Sequence, residues 1–359
     1  MKYFAVLSDI HANLPALKSV ISDAQTQARG DSLSFICLGD VVDYGPHPNE
    51  CMDWIENDPR VILKICGNHD QEMDCDLVDS PKKIGEEHWA FTLWTRKILF
   101  PKYHQSISKW CARNLVKKHG IHELKQFVFF HGGLDGHLDE LSDSHMPNQT
   151  TIVEIGDAKR QLKHLGDRNA LFGHTHYQGY FRLQDHVDIP EMRLAVPTGY
   201  VTSSRTTPAQ LFEVPIDGIQ WTDLPDGRVL INPGSVGQPR WHTLVTSVYA
   251  GFPPMACYLL LRVDHQNIQL AFRQRPYCHL TTISDLRKIQ WPQKNSKKYE
   301  LEAVMKLLEK AKGVEKEHSV YRQPLENTEY TRSAALVRIN QRLDYEIEHL
   351  IRAIDFNWQ

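Results

Sequence analysis

No C-x-x-C pair occurs among the seven cysteines of this 359-residue chain, which removes a zinc ribbon or a thioredoxin-type redox motif from consideration. Scattered and odd in number, the cysteines fit a reducing cytoplasm, with Cys37 and Cys66 reading as small residues of the core. No apolar run is long enough to span a bilayer, and no signal-peptide pattern precedes the first strand, so the expectation is a cytoplasmic protein without a membrane partner. A strong charge of either sign is missing too. The formal net charge is −3, which gives no support to a general nucleic-acid binder or to a nuclease with a long basic groove. Internal repeats and low-complexity tracts are absent. The chain does have histidine in abundance, 19 in all, and several stand beside glycine or aspartate.

The first third alternates apolar runs with helical patterns. YFAVLS (3–8) reads as a buried strand, and Asn13 can cap the helix that follows, with Pro15 in its first turn. SLSFICLG and RVILKICG read as two further strands, and continuous apolar strands separated by helices imply a buried, largely parallel sheet. Residues 71–125 form a helical insertion. QFVFFHGG and NALFGHTH return to strands, with a helix near 151–165 between them. From 177 to 275 the pattern becomes strand-rich and suggests a second, more antiparallel sheet. Residues 284–359 shift to Lys, Glu, Leu and Ile at helical spacing, and 276–359 read as a C-terminal helical extension.

Five of these strands end in polar residues: Asp9 and His11; Asp40; Asn68 and His69; His131; His174 and His176. Ligands gather at the carboxyl ends of strands in parallel sheets, so these groups should converge. Carboxylate, carboxamide and imidazole together suit Mn, Fe or Zn. Taken singly each residue has a plainer explanation: Asp9 as a helix cap, Asp43 as a turn residue, His69 as a group that only orients its neighbours.

In chain order, SDIHAN, LGDVVDYGP, CGNHD, FFHGG, FGHTH and INPGSVGQPR resemble the motifs of the calcineurin-like metallophosphoesterases, most closely the small prokaryotic phosphodiesterase branch. The resemblance covers residues 1–275. It implies an α/β fold, a four-layer α-β-β-α sandwich with helical insertions, and a centre of two divalent or transition-metal ions. Mn or Fe are the first expectation for these, with Zn, Ni and Mg as alternatives. Asp9, His11 and His176 would hold one ion, and Asn68, His131 and His174 the other. Asp40 would bridge both. Two cations ~3.5–4 Å apart can grip a phosphoryl oxygen and acidify a shared water. A metal-bound hydroxide would then attack phosphorus in line. His69 would serve as general acid toward the leaving oxygen, with Asp43 orienting its ring.

Two features bear on the substrate. Where the protein serine/threonine phosphatases carry an arginine after the residue matching Asp43, this chain has Tyr44; an arginine fork that grips phosphate is missing there. Arg240 is a candidate substitute. A phosphodiester, such as a cyclic nucleotide or an RNA end, is therefore expected ahead of a phosphomonoester, a dinucleoside polyphosphate or a phosphoprotein. A non-catalytic scaffold on the same fold is the rival from another class, but such a protein would be expected to lose metal ligands, and all seven positions here are of the right type. Leu336, Ile339, Leu343, Ile347, Leu350 and Ile354 make an apolar seam, suited to packing on the domain or to self-association as a homo-oligomer.

Overall fold

The computed structural model describes residues 1–73, 86–113, 116–117, 121–134, 152, 155–198, 201–204, 210–239, 245–248, 255–265 and 267–289. The N-terminal part runs β1 (Lys2–Leu7), α1 (Leu14–Ala28), β2 (Ser32–Cys37), α2 (Pro48–Asn57), β3 (Val61–Lys64) and the single turn α3 (Asn68–Gln71). The insertion contributes α4 (Glu86–Ile98), α5 (Pro101–Arg113) and β4 (Val116–Lys117). After a 3-10 turn at His122–Leu124 come β5 (Phe127–Phe130), α6 (Ile155–Leu165), β6 (Asn169–Leu171), β7 (Gln178–Leu183), β8 (Glu191–Pro197), β9 (Val201–Ser204), β10 (Gln210–Val214) and β11 (Thr222–Asp223). The series closes with β12 (Arg228–Pro233), β13 (Val245–Val248), β14 (Met255–Asp264), β15 (Asn267–Pro276) and α7 (His279–Arg287).

These strands make two large sheets. The first has the order β11-β15-β14-β1-β2-β3 and the second β10-β8-β7-β12-β6-β5-β4; β9 and β13 pair by themselves. β1, β2 and β3 are parallel neighbours, as the apolar runs imply. The later strands do not form a sheet of their own. The long β14–β15 hairpin joins the first sheet, with β14 antiparallel to β1, while β7, β8, β10 and β12 join β5 and β6 in the second. The expectation of a second, more antiparallel sheet from residues 177–275 is corrected on this point: those strands divide between the two sheets, and both sheets are mixed. Pairing partners lie far apart in sequence, and strand periodicity carries no record of them.

Alternation within β1 shows why the sheets stack. Phe4 and Val6 enter the core between the sheets, with Ile36, Phe127, Phe129 and Leu259. Ala5 and Leu7 face the other way, against Leu17 and Val20 of α1. A strand buried on both faces needs an unbroken apolar run, and β1 has one. On the far side of the second sheet, Ala158 and Leu162 of α6 pack on Val128, Phe130 and Ala170. The result is the four-layer α-β-β-α order. At the outer face of the first sheet, Arg273 (1% exposed) donates through Nε and a terminal nitrogen to the Asp23 carboxylate, each at 2.9 Å, and Tyr258 Oη donates to the same group at 2.7 Å.

Asn13 caps α1 by accepting from Ala16 N at 3.3 Å. The same Oδ1 accepts from Thr282 Oγ1 of α7 at 3.0 Å, so α7 packs directly on the first helix. Cys66 is not an unpaired core residue. It forms a disulfide with Cys111 of α5, across a sequence separation of 45. Cys66 is a buried core residue, as read, but a paired one, which removes the cysteine pattern as support for a reducing compartment. None of the described helices is long and apolar enough to cross a membrane. The apolar seam at 336–354 lies outside the described residues.

Candidate metal centre

Both sheets deliver their strand ends to one place, and the loops are locked together there. Beyond β1, Asp9 N donates to Gly39 O and His11 N to Asp40 O, each at 3.0 Å, so the two strand-end loops run side by side. Asp70 clamps a third loop onto them. Its carboxylate accepts from Asp40 N at 2.8 Å, Val41 N at 2.9 Å and Gly67 N at 3.0 Å. Asp40 Oδ1 in turn accepts from His69 N at 2.9 Å. A Cβ on Gly67 would collide with that same oxygen, so only glycine lets the loop approach. From the second sheet, His174 N donates to Asp9 Oδ2 at 3.1 Å, and Gly237 N to Asp9 O at 3.0 Å.

Backbone conformation marks this place as unusual. Eleven described non-glycine residues have positive φ, and eight of them belong to these loops: Asp9, His11, Ala12, Asp40, Asp43, Tyr44, His174 and His176. Such conformations are costly and persist where surrounding structure enforces them, as it does at functional sites.

All seven predicted ligands meet here. His176 Nε2 lies 3.2 Å from Asp9 Oδ1 and 3.1 Å from His11 Nε2. His131 Nε2 lies 3.0 Å from Asp40 Oδ2 and 3.2 Å from Asn68 Oδ1, which is also 2.8 Å from His174 Nδ1. Asp9, His11 and His176 form one cluster of donor atoms, and Asp40, His131 and His174 another. Asp40 Oδ2 reaches toward both: it stands 4.0 Å from His11 Nε2 as well.

The donor chemistry fits cations. His131 Nδ1 sits 2.7 Å from Leu38 O and His176 Nδ1 2.7 Å from Gln238 O, with His11 Nδ1 3.3 Å from Val42 O. A carbonyl accepts only, so Nδ1 carries the proton and the Nε2 lone pair points inward. Lone pairs of His11 and His176 then face each other, and face carboxylate oxygens. Asp9 Oδ1 is buried with no hydrogen-bond donor. Acceptors converging on acceptors in a buried pocket are stabilised by positive charge placed among them.

Ionisation runs the same way for most of the set. Burial would raise the Asp9 carboxyl, but positive charge on the His176 and His131 rings outweighs it and holds the group well below its ordinary range; with His176 neutral, a cation would take over that part. Asp40 is likewise held low against burial by His131, His69 and His11. Burial, then the neighbouring imidazoles, push His11 down; burial and His131 take His174 to about 4. These are the forms that ligate metals. His131 differs: burial lowers it, but Asp40 outweighs burial and lifts it to about 9. A cation bound there has to displace that proton.

His69 stands beside the clusters, 8% exposed. Its Nδ1 donates to Asp43 Oδ2 at 2.9 Å, with Glu72 Oε2 at 3.7 Å. Burial lowers its pKa, but Asp40, Asp43 and Glu72 together raise it to about 10. Tyr44 packs its ring 4.7 Å from that of His69 and 5.0 Å from that of His11. Arg240 lies outside the described residues. Sequence reading passed over Asp70, although it stands within CGNHD; its role is to bind four backbone amides, those of Asp40, Val41, Val42 and Gly67, which leaves no mark on spacing. It also passed over Glu72 and Thr92, which meet Asp43 and His69 from the insertion side.

Residues 2–178 match the family described as calcineurin-like phosphoesterase. Over this stretch the chain is similar to the calcineurin-like metallophosphoesterases. It is 29% identical over 239 residues to an uncharacterized protein of Methanocaldococcus jannaschii, MJ0912, covering 66% of this chain and 76% of that one. The crystal structure of a metallophosphoesterase from Sphaerobacter thermophilus superposes with a TM-score of 0.57 at 24% identity, over 87% of this chain and 99% of that one. A hypothetical protein from Pyrococcus horikoshii OT3, PH1004, gives a TM-score of 0.51 at 16% identity, covering 86% and 98% of the two chains. At these identities the two structures speak for the shared fold.

Proposed function

We propose that this protein is a metallophosphoesterase that hydrolyses phosphodiester bonds with two transition-metal ions, Mn or Fe in first place. In this reading Asp9, His11 and His176 hold one ion, Asn68, His131 and His174 the other, and Asp40 both. Two such ions, when bound, grip a phosphoryl oxygen and acidify a shared water. The protein's own contribution is positional. The Nδ1–carbonyl contacts of His11, His131 and His176 fix the direction of each ring. His69 protonates the leaving oxygen through Nε2, because Nδ1 is engaged by Asp43. A cation held by Asp40 neutralises one of the charges that favour the imidazolium, while the Asp43 contact remains.

The observation that carries this reading is the pair of donor clusters around Asp40, with the His69–Asp43 pair beside it. Preference for diesters is supported by Tyr44. It sets a neutral ring, not a guanidinium, against His11 and His69, and a singly charged diester needs less cationic contact than a doubly charged monoester. A nucleotide or an RNA end is the substrate class we favour, with Arg240 as an added phosphate contact. The test is a substrate panel with the Mn-loaded protein. Diesters should be cleaved with the higher kcat/KM; a higher value on phosphopeptides than on every diester tried would reverse the assignment.

A further inference from the structure

The insertion reaches the general-acid pair. Consecutive residues of α4 meet consecutive residues of the β2 loop: the Phe91 ring lies 5.6 Å from that of Tyr44, and Thr92 Oγ1 donates to Asp43 Oδ2 at 3.2 Å. Thr92 is fully buried, at 0% exposure. The helix is itself held in place, since Arg96 Nε donates to Glu72 O at 2.6 Å and Asn49 Nδ2 donates to Ile98 O at 2.9 Å.

We infer that Thr92 is a positioning residue for His69, acting through Asp43; this rests on the general-acid reading of His69. The Asp43 carboxylate accepts from Tyr44 N at 2.8 Å on Oδ1, and from His69 Nδ1 and Thr92 Oγ1 on Oδ2. Three donors from three segments fix both its position and its plane. Glu72 makes that fixing necessary. Its Oε2 is 3.7 Å from His69 Nδ1 and 3.4 Å from Thr92 Oγ1, so it competes with Asp43 for the same imidazole proton. The hydroxyl has one proton, and the shorter approach is to Asp43. With the hydroxyl gone, Asp43 Oδ2 keeps a single donor and His69 Nδ1–H has two carboxylates to choose between. Its ring then loses the one orientation that aims Nε2 at the leaving oxygen. The insertion is on this view part of the catalytic apparatus and not a decoration on the fold.

Thr92→Val keeps the shape and removes the hydroxyl; Thr92→Ser restores it. In the full-length Mn-loaded protein, Thr92→Val should lower kcat about tenfold on a dinucleoside monophosphate, the worth of one lost hydrogen bond. On bis-p-nitrophenyl phosphate, whose leaving group needs little protonation, the loss should stay under about twofold. KM and metal content should not move, Thr92→Ser should recover the rate, and Thr92→Val should add nothing in a His69→Ala background. Wild-type kcat in Thr92→Val alongside a loss in His69→Ala would overturn the inference and leave the general acid standing. An equal loss of His69→Ala on both substrates would instead overturn the general acid. In that event the proton resonance of His69 Nδ1–H in the Zn-loaded protein decides for Thr92. It should shift in Thr92→Val and return in Thr92→Ser; an unchanged resonance overturns the inference.

Discussion

The first sheet and the second sheet bring different chemistry to the same pocket. Strand ends of the first supply the oxygens of Asp9, Asp40 and Asn68, together with the imidazoles of His11 and His69. Those of the second supply imidazoles alone: His131, His174 and His176. The means of holding them differ as well. Loops of the first sheet are tied to each other through Asp70 and the Asp9–Gly39 and His11–Asp40 amide contacts, and by the disulfide to α5. On the second sheet His131 and His176 are aimed one ring at a time, by a backbone carbonyl at Nδ1. A carboxylate can present two oxygens in many directions, so its backbone has to be fixed; an imidazole has one inward lone pair, and one hydrogen bond aims it.

That contrast predicts different failures. His69→Ala, on the first side, should cost roughly 10²–10⁴-fold in kcat with alkoxide leaving groups and leave metal content intact, measured by steady-state kinetics beside elemental analysis. Metal loss in His69→Ala would place it among the ligands. Cys111→Ser should destabilise the protein by up to about 4 kcal/mol, the worth of closing a loop of this length, read from denaturant midpoints. If midpoints match with and without a reducing agent, the tie between α5 and the first sheet is not a covalent one.

Asp70→Ala should cost about 3 kcal/mol, because it leaves the amides of Asp40, Val41, Val42 and Gly67 without this acceptor. It should also weaken metal retention, whereas a substitution on the second sheet outside the ligands should not. Thermal melts with and without Mn measure both. The smallest effect concerns a histidine away from the centre. Burial holds His279 at about 4, against 6.5 for an ordinary imidazole. The unfolded chain therefore binds the extra proton first as pH falls. Its contribution, about 3 kcal/mol at most, is fully present above pH 6.5 and is lost as pH falls toward 4. His279→Gln should flatten the stability curve in that window, and an unaltered slope would show that the ring titrates normally.

The pocket was the more legible part of the molecule. Each candidate ligand sits where an apolar run stops, and strand ends in such folds converge, so local patterns were enough to collect Asp9, Asp40, His131 and the GHTH pair. The sheets were less legible. β14 and β15 look like any antiparallel hairpin, and nothing local tells that the hairpin lies beside β1 and not beside β7. Asp70 and Thr92 were missed for a related reason: Asp70 binds amides of the β2 loop 28 to 30 residues away and Thr92 meets Asp43 49 residues away, and a backbone amide carries no residue type to recognise. Cys66 was read as a core residue, which it is, but its pairing was not legible, because only the fold brings α5 against it.

The shared position of Asp40 is the central claim, and metal stoichiometry tests it most directly. Elemental analysis of the purified wild type, Asp40→Ala and Asn68→Ala proteins, each confirmed folded, should return close to two transition-metal ions, a loss at both positions, and a loss at one. Full retention of both ions in Asp40→Ala would contradict the bridge and the arrangement built around it.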